Sequence, residues 1–492
     1  MDGIRMATGG QAMRALALTA VLALVVGACT TAASPSPAGS SPAASSAAPS
    51  ASPAVSPSAS GSAAAQVELE WFIGLGTGQN AEQVAAENAV VEAFNAANPN
   101  IKLSVTIVDN TEASQTLAAR AADPPDILGP VGIRGLQTFG DQLLDLTPYI
   151  AGADLSEIEP SLIQAFNVDG KQIGLPTGVY SSFIYYNKDL FDEAGLPYPP
   201  HEVGAQYEGK PWNWETVREL AMKLTVDADG NDATSADFDP DSIEQYGLDA
   251  QMVENDTRAW STIFGGSGSA VGTDGTTAQW PDNWRQGLQY WYDGVWTDHF
   301  IPAKPAVDAI TGSTTDSNTF QFGRTAMAIV HQWYTCCVYP SEGEPAVKDW
   351  DIAVLPAGPD GKVTSKLHAD TIGIMSSTEH PAEAFEVLSF LSSNADLVQT
   401  WGALPAIQSQ RDAFFTARDD QFAPLDIDWT VSTKMLEFPD NPSHEGSMPN
   451  FEESDAANKS FGSKLWTTQG LDVDTEIDGH VETLRSLFAE AE

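Results

Sequence analysis

The sequence predicts an α/β protein, a parallel sheet with helices packed on it. Three observations predict this. From Val67 onward, short β-branched runs alternate with helix-spaced runs, the pattern of parallel strands joined by crossover helices. Gly, Pro and Asn punctuate the boundaries. The 492 residues, 42% hydrophobic with 13 Trp, supply a large core rather than an acidic disordered tail, and the length fits about two to four domains.

The elements follow in order. Val67-Glu68-Leu69-Glu70-Trp71-Phe72-Ile73 alternates and then runs apolar, as a first strand does. Residues 74–80 are a glycine-rich loop. Its spacing does not match G-x-G-x-x-G, so the glycines read as a close backbone approach to a ligand other than a dinucleotide. A helix over 81–98 carries Val84, Val91 and Phe94 on its apolar side, and Pro99 stops it. Residues 101–108 form a second strand, 111–122 a second helix, and Asp126-Ile127-Leu128 a short buried strand. In open sheets of this kind ligands bind beyond the carboxyl ends of the strands. Near the C-terminus a helix over 483–489 presents Leu484, Leu487 and Phe488, and Asp472, Asp474, Glu476 and Asp478 ahead of it read as a solvated acidic edge.

The first 65 residues stand apart. Arg5 and Arg14 precede an apolar run from Ala15 to Val26, followed by Gly27-Ala28-Cys29. A positive start, a short apolar stretch and small residues at the cut site make a secretory signal. The run is shorter than the roughly 20 residues of a membrane span. Val26-Gly27-Ala28-Cys29 resembles a bacterial lipobox, which would make Cys29 the lipidated N-terminus of the mature chain. Residues 30–66 are almost entirely Ser, Ala, Pro and Gly without charge, a tether that cannot bury enough apolar surface to order itself.

Charge narrows the function classes. The chain has 23 Lys+Arg against 67 Asp+Glu, a net of -44. Only Asp2, Arg5 and Arg14 precede Glu68, which leaves 66 acidic and 21 basic residues, a net of -45, on the remainder. Nucleic-acid binding needs clustered basic residues, and docking on an anionic bilayer needs a basic patch. The field also leans the ligand toward a neutral molecule.

Several segments recur together in a known order. They are Val91-Glu92-Ala93-Phe94-Asn95-Ala96-Ala97-Asn98-Pro99, Pro125-Asp126-Ile127-Leu128, Leu144-Asp145-Leu146-Thr147-Pro148, Gly174-Leu175-Pro176, and Ile184-Tyr185-Tyr186-Asn187-Lys188-Asp189-Leu190-Phe191. Trp214-Glu215-Thr216, Phe322-Gly323-Arg324-Thr325-Ala326-Met327-Ala328-Ile329 with Trp333, Val354-Leu355-Pro356-Ala357-Gly358 and Gly402-Ala403-Leu404-Pro405-Ala406 follow. In this order the chain resembles the extracytoplasmic solute-binding proteins of ABC importers, family 1, the maltose- and oligosaccharide-binding type. The resemblance implies a hinged two-lobe fold of the type II periplasmic-binding-protein kind, with the ligand cleft between the lobes. It implies a first lobe of 67–179 plus 371–415 and a second of 180–370 plus 416–492. It implies a monomer without cofactor, lipid-anchored on the outer face of the cell membrane, that delivers a carbohydrate to permease subunits.

By the same resemblance the cleft would draw on Gly76, Thr77, Gly129, Tyr180, Trp260, Trp333, His368, Asp370, Gly402 and Leu404. Aromatic faces stack on sugar rings, and acids accept hydroxyl protons; core packing is the competing fate of each aromatic. Trp212, Trp214, Trp284, Trp291 and Trp296 read as core, and Trp71 reads either way. Cys336 and Cys337 are adjacent; in an exported protein they form either a vicinal disulfide beside Trp333 or a reduced pair in a turn. Asp227-Ala228-Asp229-Gly230-Asn231-Asp232 opens like a calcium loop, but the glycine is misplaced and no Glu closes it. No metal site is expected. No His-Glu-x-x-His, Gly-x-Ser-x-Gly or Walker motif is present, so an enzyme is not expected. The alternative is a surface-anchored glycan hydrolase, since the many acids leave a catalytic carboxylate pair open.

Overall fold

The computed structural model describes residues 66–491 except 169, 251–256, 267, 313–317, 339–343 and 441–447. The signal sequence, Cys29 and tether expected within residues 1–65 lie outside the described residues, as does the Cys336 side chain, so neither lipidation nor the Cys336–Cys337 pairing is described.

Eight main strands carry the fold: β1 (Val67–Ile73), β2 (Ile101–Ile107), β3 (Ile127–Gly132), β4 (Leu175–Asn187), β5 (Ile243–Ala250), β6 (Thr325–His331), β7 (Trp350–Ala353) and β8 (Leu367–Ile374). Their hydrogen-bonded order is β2-β1-β3-β8-β4-β6-β5, with β7 also paired to β4. The expected parallel core is present in both halves: β1 pairs in parallel with β2 and β3, and β5 with β6. β4 joins the halves. Its first part, through Ser181, lies against β8, and its second part, from Ser182, lies against β6 and β7.

The alternation in β1 sorts its side chains to opposite faces of the sheet. Leu69, Trp71 and Ile73 pack in one core with Val91, Phe94 and Trp401, whereas Phe72 faces another with Leu117, Leu128 and Leu404. Trp71 is thereby settled as core. A third, larger core gathers residues 183–355 and 422–488, including Trp212, Trp214, Trp284 and Trp291, with Trp296 packed against it. The molecule is therefore two-lobed, with two cores flanking the sheet of β1 to β3 and one in the other lobe. Leu367 and Ala369 pack with the first of these lobes.

Two helices differ from expectation. The first, α1 (Ala81–Ala97), buries Gln83, Glu87, Val91 and Phe94. Val84 is only partly buried, so the stripe is polar over its first two turns. The last, α2 (Val473–Glu490), is much longer than 483–489. The acids taken for a solvated edge start it. Asp472 caps the helix by accepting from the Thr475 N–H at 2.9 Å, and Asp474 and Glu476 occupy the first turn, where the helix dipole favours anions.

Candidate functional site

The carboxyl ends of the parallel strands of both lobes converge where β4 and β8 cross. β3 ends at Gly132, opposite Asp370 of β8; β6 ends at His331, opposite Ser182 of β4; β8 begins with Leu367 and His368 opposite Ser181 and Tyr180.

Asp370 is the hub. It is 2% exposed. Its Oδ2 accepts from Thr77 Oγ1 at 3.2 Å and from Tyr180 OH at 3.3 Å, while His368 Nε2 lies 3.6 Å from Oδ1. The Tyr180 and His368 rings approach to 6.0 Å between centroids. From His368 the ring contacts continue into the other lobe, edge-on to His331 at 6.0 Å and then to Trp333, stacked on His331 at 6.4 Å and 12°. Trp333 is partly buried and packs against the cores of both lobes. One strip thus runs from Thr77 through Asp370, Tyr180, His368 and His331 to Trp333.

The glycines permit close approach. A Cβ on Gly76 would meet Pro130 O at 2.8 Å, and one on Gly132 would meet His368 Nε2 at 3.0 Å. At the end of β6, His331 Nε2 and Gln332 Nε2 are buried with no hydrogen-bond partner among the described residues. Burial, aided by the charges of Lys366 and His368, holds His331 well below the usual imidazole range, so it is neutral.

The structure brings Gly76, Thr77, Tyr180, Trp333, His368 and Asp370 together. Three of the expected residues lie apart from this strip. Trp260 is 1% exposed, in contact with Trp214 and Tyr290, and its indole N–H donates to Gly287 O at 2.6 Å, so its ring and its donor are engaged within the core. Gly129 is buried against Ile372 and its carbonyl accepts from Trp71 Nε1. Leu404 is fully buried, paired with Val179. Gly402, at φ 76°, ends the turn after Trp401. Cys337 packs against the larger core. Asp227 makes a local turn, accepting from the backbone N–H groups of Asp229, Asn231 and Asp239 at 2.8 to 3.0 Å.

Sequence reasoning missed His331, Gln332 and Gly132. The signal was available for His331 and Gly132, which are the last residues of parallel strands, where open sheets bind ligands. A separate polar hollow of about 430 Å³ lies at the other end of β4, lined by Tyr186, Tyr198, His201, Asp351 and Asp428 among others. There His201 bridges Asp351 at 3.1 Å and Asp428 at 3.2 Å.

The sequence profile of the bacterial extracellular solute-binding proteins matches residues 77–397. The chain belongs to this family. An ABC transporter-binding protein of Deinococcus radiodurans is 26% identical over 279 residues, 56% of this chain, and the matched stretch spans 60% of that relative. A Listeria monocytogenes ABC substrate-binding protein in complex with cycloalternan superposes with a TM-score of 0.66 at 18% identity, covering 86% of this chain and 99% of its own. The cyclic alpha-maltosyl-1,6-maltose binding protein from Arthrobacter globiformis gives a TM-score of 0.64 at 18% identity, covering 86% and 100%. The solute-binding protein described here thus shares the two-lobe fold of such proteins, and its strip of polar and aromatic groups crosses between the lobes.

Proposed function

We propose that this solute-binding protein captures a neutral carbohydrate between its lobes and delivers it to the permease of an ABC importer, without chemical turnover. The observation that carries the reading is the strip from Thr77 to Trp333. A partly buried indole is joined through His331 and His368 to a carboxylate that gathers Thr77 and Tyr180, and aromatic faces with a few convergent polar groups are what a sugar site uses. The net of -45 on the chain beyond the tether opposes an anionic solute. The Listeria protein in complex with cycloalternan and the Arthrobacter cyclic alpha-maltosyl-1,6-maltose binding protein point the same way. The lobes are drawn at 67–179 with 371–415 and at 180–370 with 416–492; separate cores support the division, except at the crossing itself, where Tyr180, Leu367 and Ala369 pack with the first lobe. The ligand shifts the lobes toward closure by its differential affinity for the closed form. Lipidated Cys29 and the tether hold the monomer on the outer face of the cell membrane.

A thermal-shift and calorimetric screen against glucose, maltose, maltotriose, cyclic glucose tetrasaccharides and glycerol 3-phosphate tests this. The expected outcome is a rise in unfolding temperature with a neutral sugar and no sugar cleavage. Stabilisation by glycerol 3-phosphate alone, or release of reducing sugar, overturns it.

A further inference from the structure

Glu87 lies in the polar half of the α1 stripe. It is 0% exposed. Its Oε1 accepts from Trp401 Nε1 at 2.9 Å, and its Oε2 is buried with no hydrogen-bond partner among the described residues. α1 packs against β2 and the helices Pro381–Ser392 and Ala395–Thr400. The charged groups on these elements are Glu82 and Glu92 of α1 itself, Lys102, Glu383, Glu386 and Asp396, all of which reach solvent. Lys102 is paired with Glu68. The nearby Arg418 is committed to Gln399 O and Gln421. A carboxylate with one donor and no cation is strongly disfavoured in such a place. Burial, against the opposing Trp401 hydrogen bond, pushes Glu87 up to about 8.

Two loops rest on this carboxyl group. From the glycine loop, Gly78 sits so close that a Cβ would lie 2.5 Å from Glu87 Oε1. Its φ of 115° favours glycine as well. The Gly78 N–H donates to Gln83 Oε1 at 3.0 Å, one helical turn before Glu87. From the other side comes Trp401, followed by Gly402. The first loop carries Gly76 and Thr77, and Thr77 reaches Asp370.

We propose that Glu87 is a positioning residue, a carboxylic acid that stays dry beneath the 74–78 and 401–404 loops while it is neutral, and whose ionisation at alkaline pH draws water to the unpartnered Oε2, unseats the loops from α1 and opens the first-lobe wall of the cleft. The inference rests on the reading of the 74–78 loop as part of the ligand cleft.

The test is hydrogen exchange of residues 74–80 and 400–406 in the unliganded full chain, wild type against Glu87→Gln, compared at equal pH so that intrinsic exchange cancels. The two proteins should match at pH 6.5. At pH 9 the wild type should exchange at least fivefold faster, because the amide cannot ionise. Equal exchange at pH 9 overturns the proposal. Trp401→Phe supplies a second route, since it removes the donor that favours the anion; its loop opening should begin at higher pH than in wild type. An unchanged or lower onset also overturns it. Maltotriose binding followed in parallel should weaken at pH 9 in the wild type and hold in Glu87→Gln. Failure of maltotriose to bind at any pH would count against the carbohydrate reading alone, because the exchange result needs no ligand.

Discussion

Truncating Trp333 to alanine probes the strip most directly. The indole packs against the cores of both lobes, and His331 stacks on it. A sugar ring laid on its remaining surface would cover about 70 Å² of apolar area, which at ~25 cal/mol/Å² is about 1.8 kcal/mol or roughly 20-fold in affinity. The same truncation removes packing, and for a partly buried indole about 3 kcal/mol of stability is expected to go with it. Trp333→Phe separates the two effects. It keeps an aromatic face and should lose only about threefold in affinity, roughly 0.6 kcal/mol. Isothermal titration with maltotriose gives the affinities, and urea unfolding of the same samples gives the stabilities. Wild-type affinity in a folded Trp333→Ala protein would refute the reasoning and assign Trp333 to interlobe packing alone.

Other expectations concern the scaffold. His480 is stacked on Phe461 at 4.3 Å and burial lowers it to about 4. The unfolded chain therefore takes up a proton below about pH 6.5 that the folded chain refuses, and stability should fall by up to ~1.4 kcal/mol per pH unit from there toward pH 4; urea midpoints across that range should flatten in His480→Gln. Asp440 accepts from Arg258 at 2.9 Å and from the Leu367 N–H at 3.0 Å; Asp440→Ala should cost about 3–5 kcal/mol in urea unfolding by leaving a buried guanidinium short of its partner. Gly247→Ala would put a Cβ 2.0 Å from Ala221 O. Because backbone must move, the loss should approach the upper end of the ~1–3 kcal/mol of overpacking, read as a lower denaturation midpoint.

Much of the fold was legible because it is written in local pattern. Alternation in Val67–Ile73 and the punctuated strand–helix order set the parallel sheet, and strand and helix limits moved by only a few residues near the N-terminus. The last helix was not legible from its apolar face alone. Its start depends on the Asp472 cap, a signal that an acidic composition hides. Within the candidate site, Thr77, Tyr180, Trp333, His368 and Asp370 were expected from the order of segments, and the structure places them along one strip. His331 was overlooked because a histidine closing a buried strand has no periodicity of its own.

The sequence by itself determined the α/β class, the family and the acidic balance of the chain, since periodicity, composition and segment order are properties of neighbours along the chain. It could not tell Trp260 from Trp333. The first is closed in by Gly287 and Tyr290, and the second lies where two cores meet. Nor could it show that Glu87 would sit dry beneath a glycine loop, or that Asp370 would gather Thr77 and Tyr180 from 293 and 190 residues away. Burial and hydrogen bonding are set by whichever distant surfaces arrive around a side chain, and only the tertiary structure supplies those surfaces.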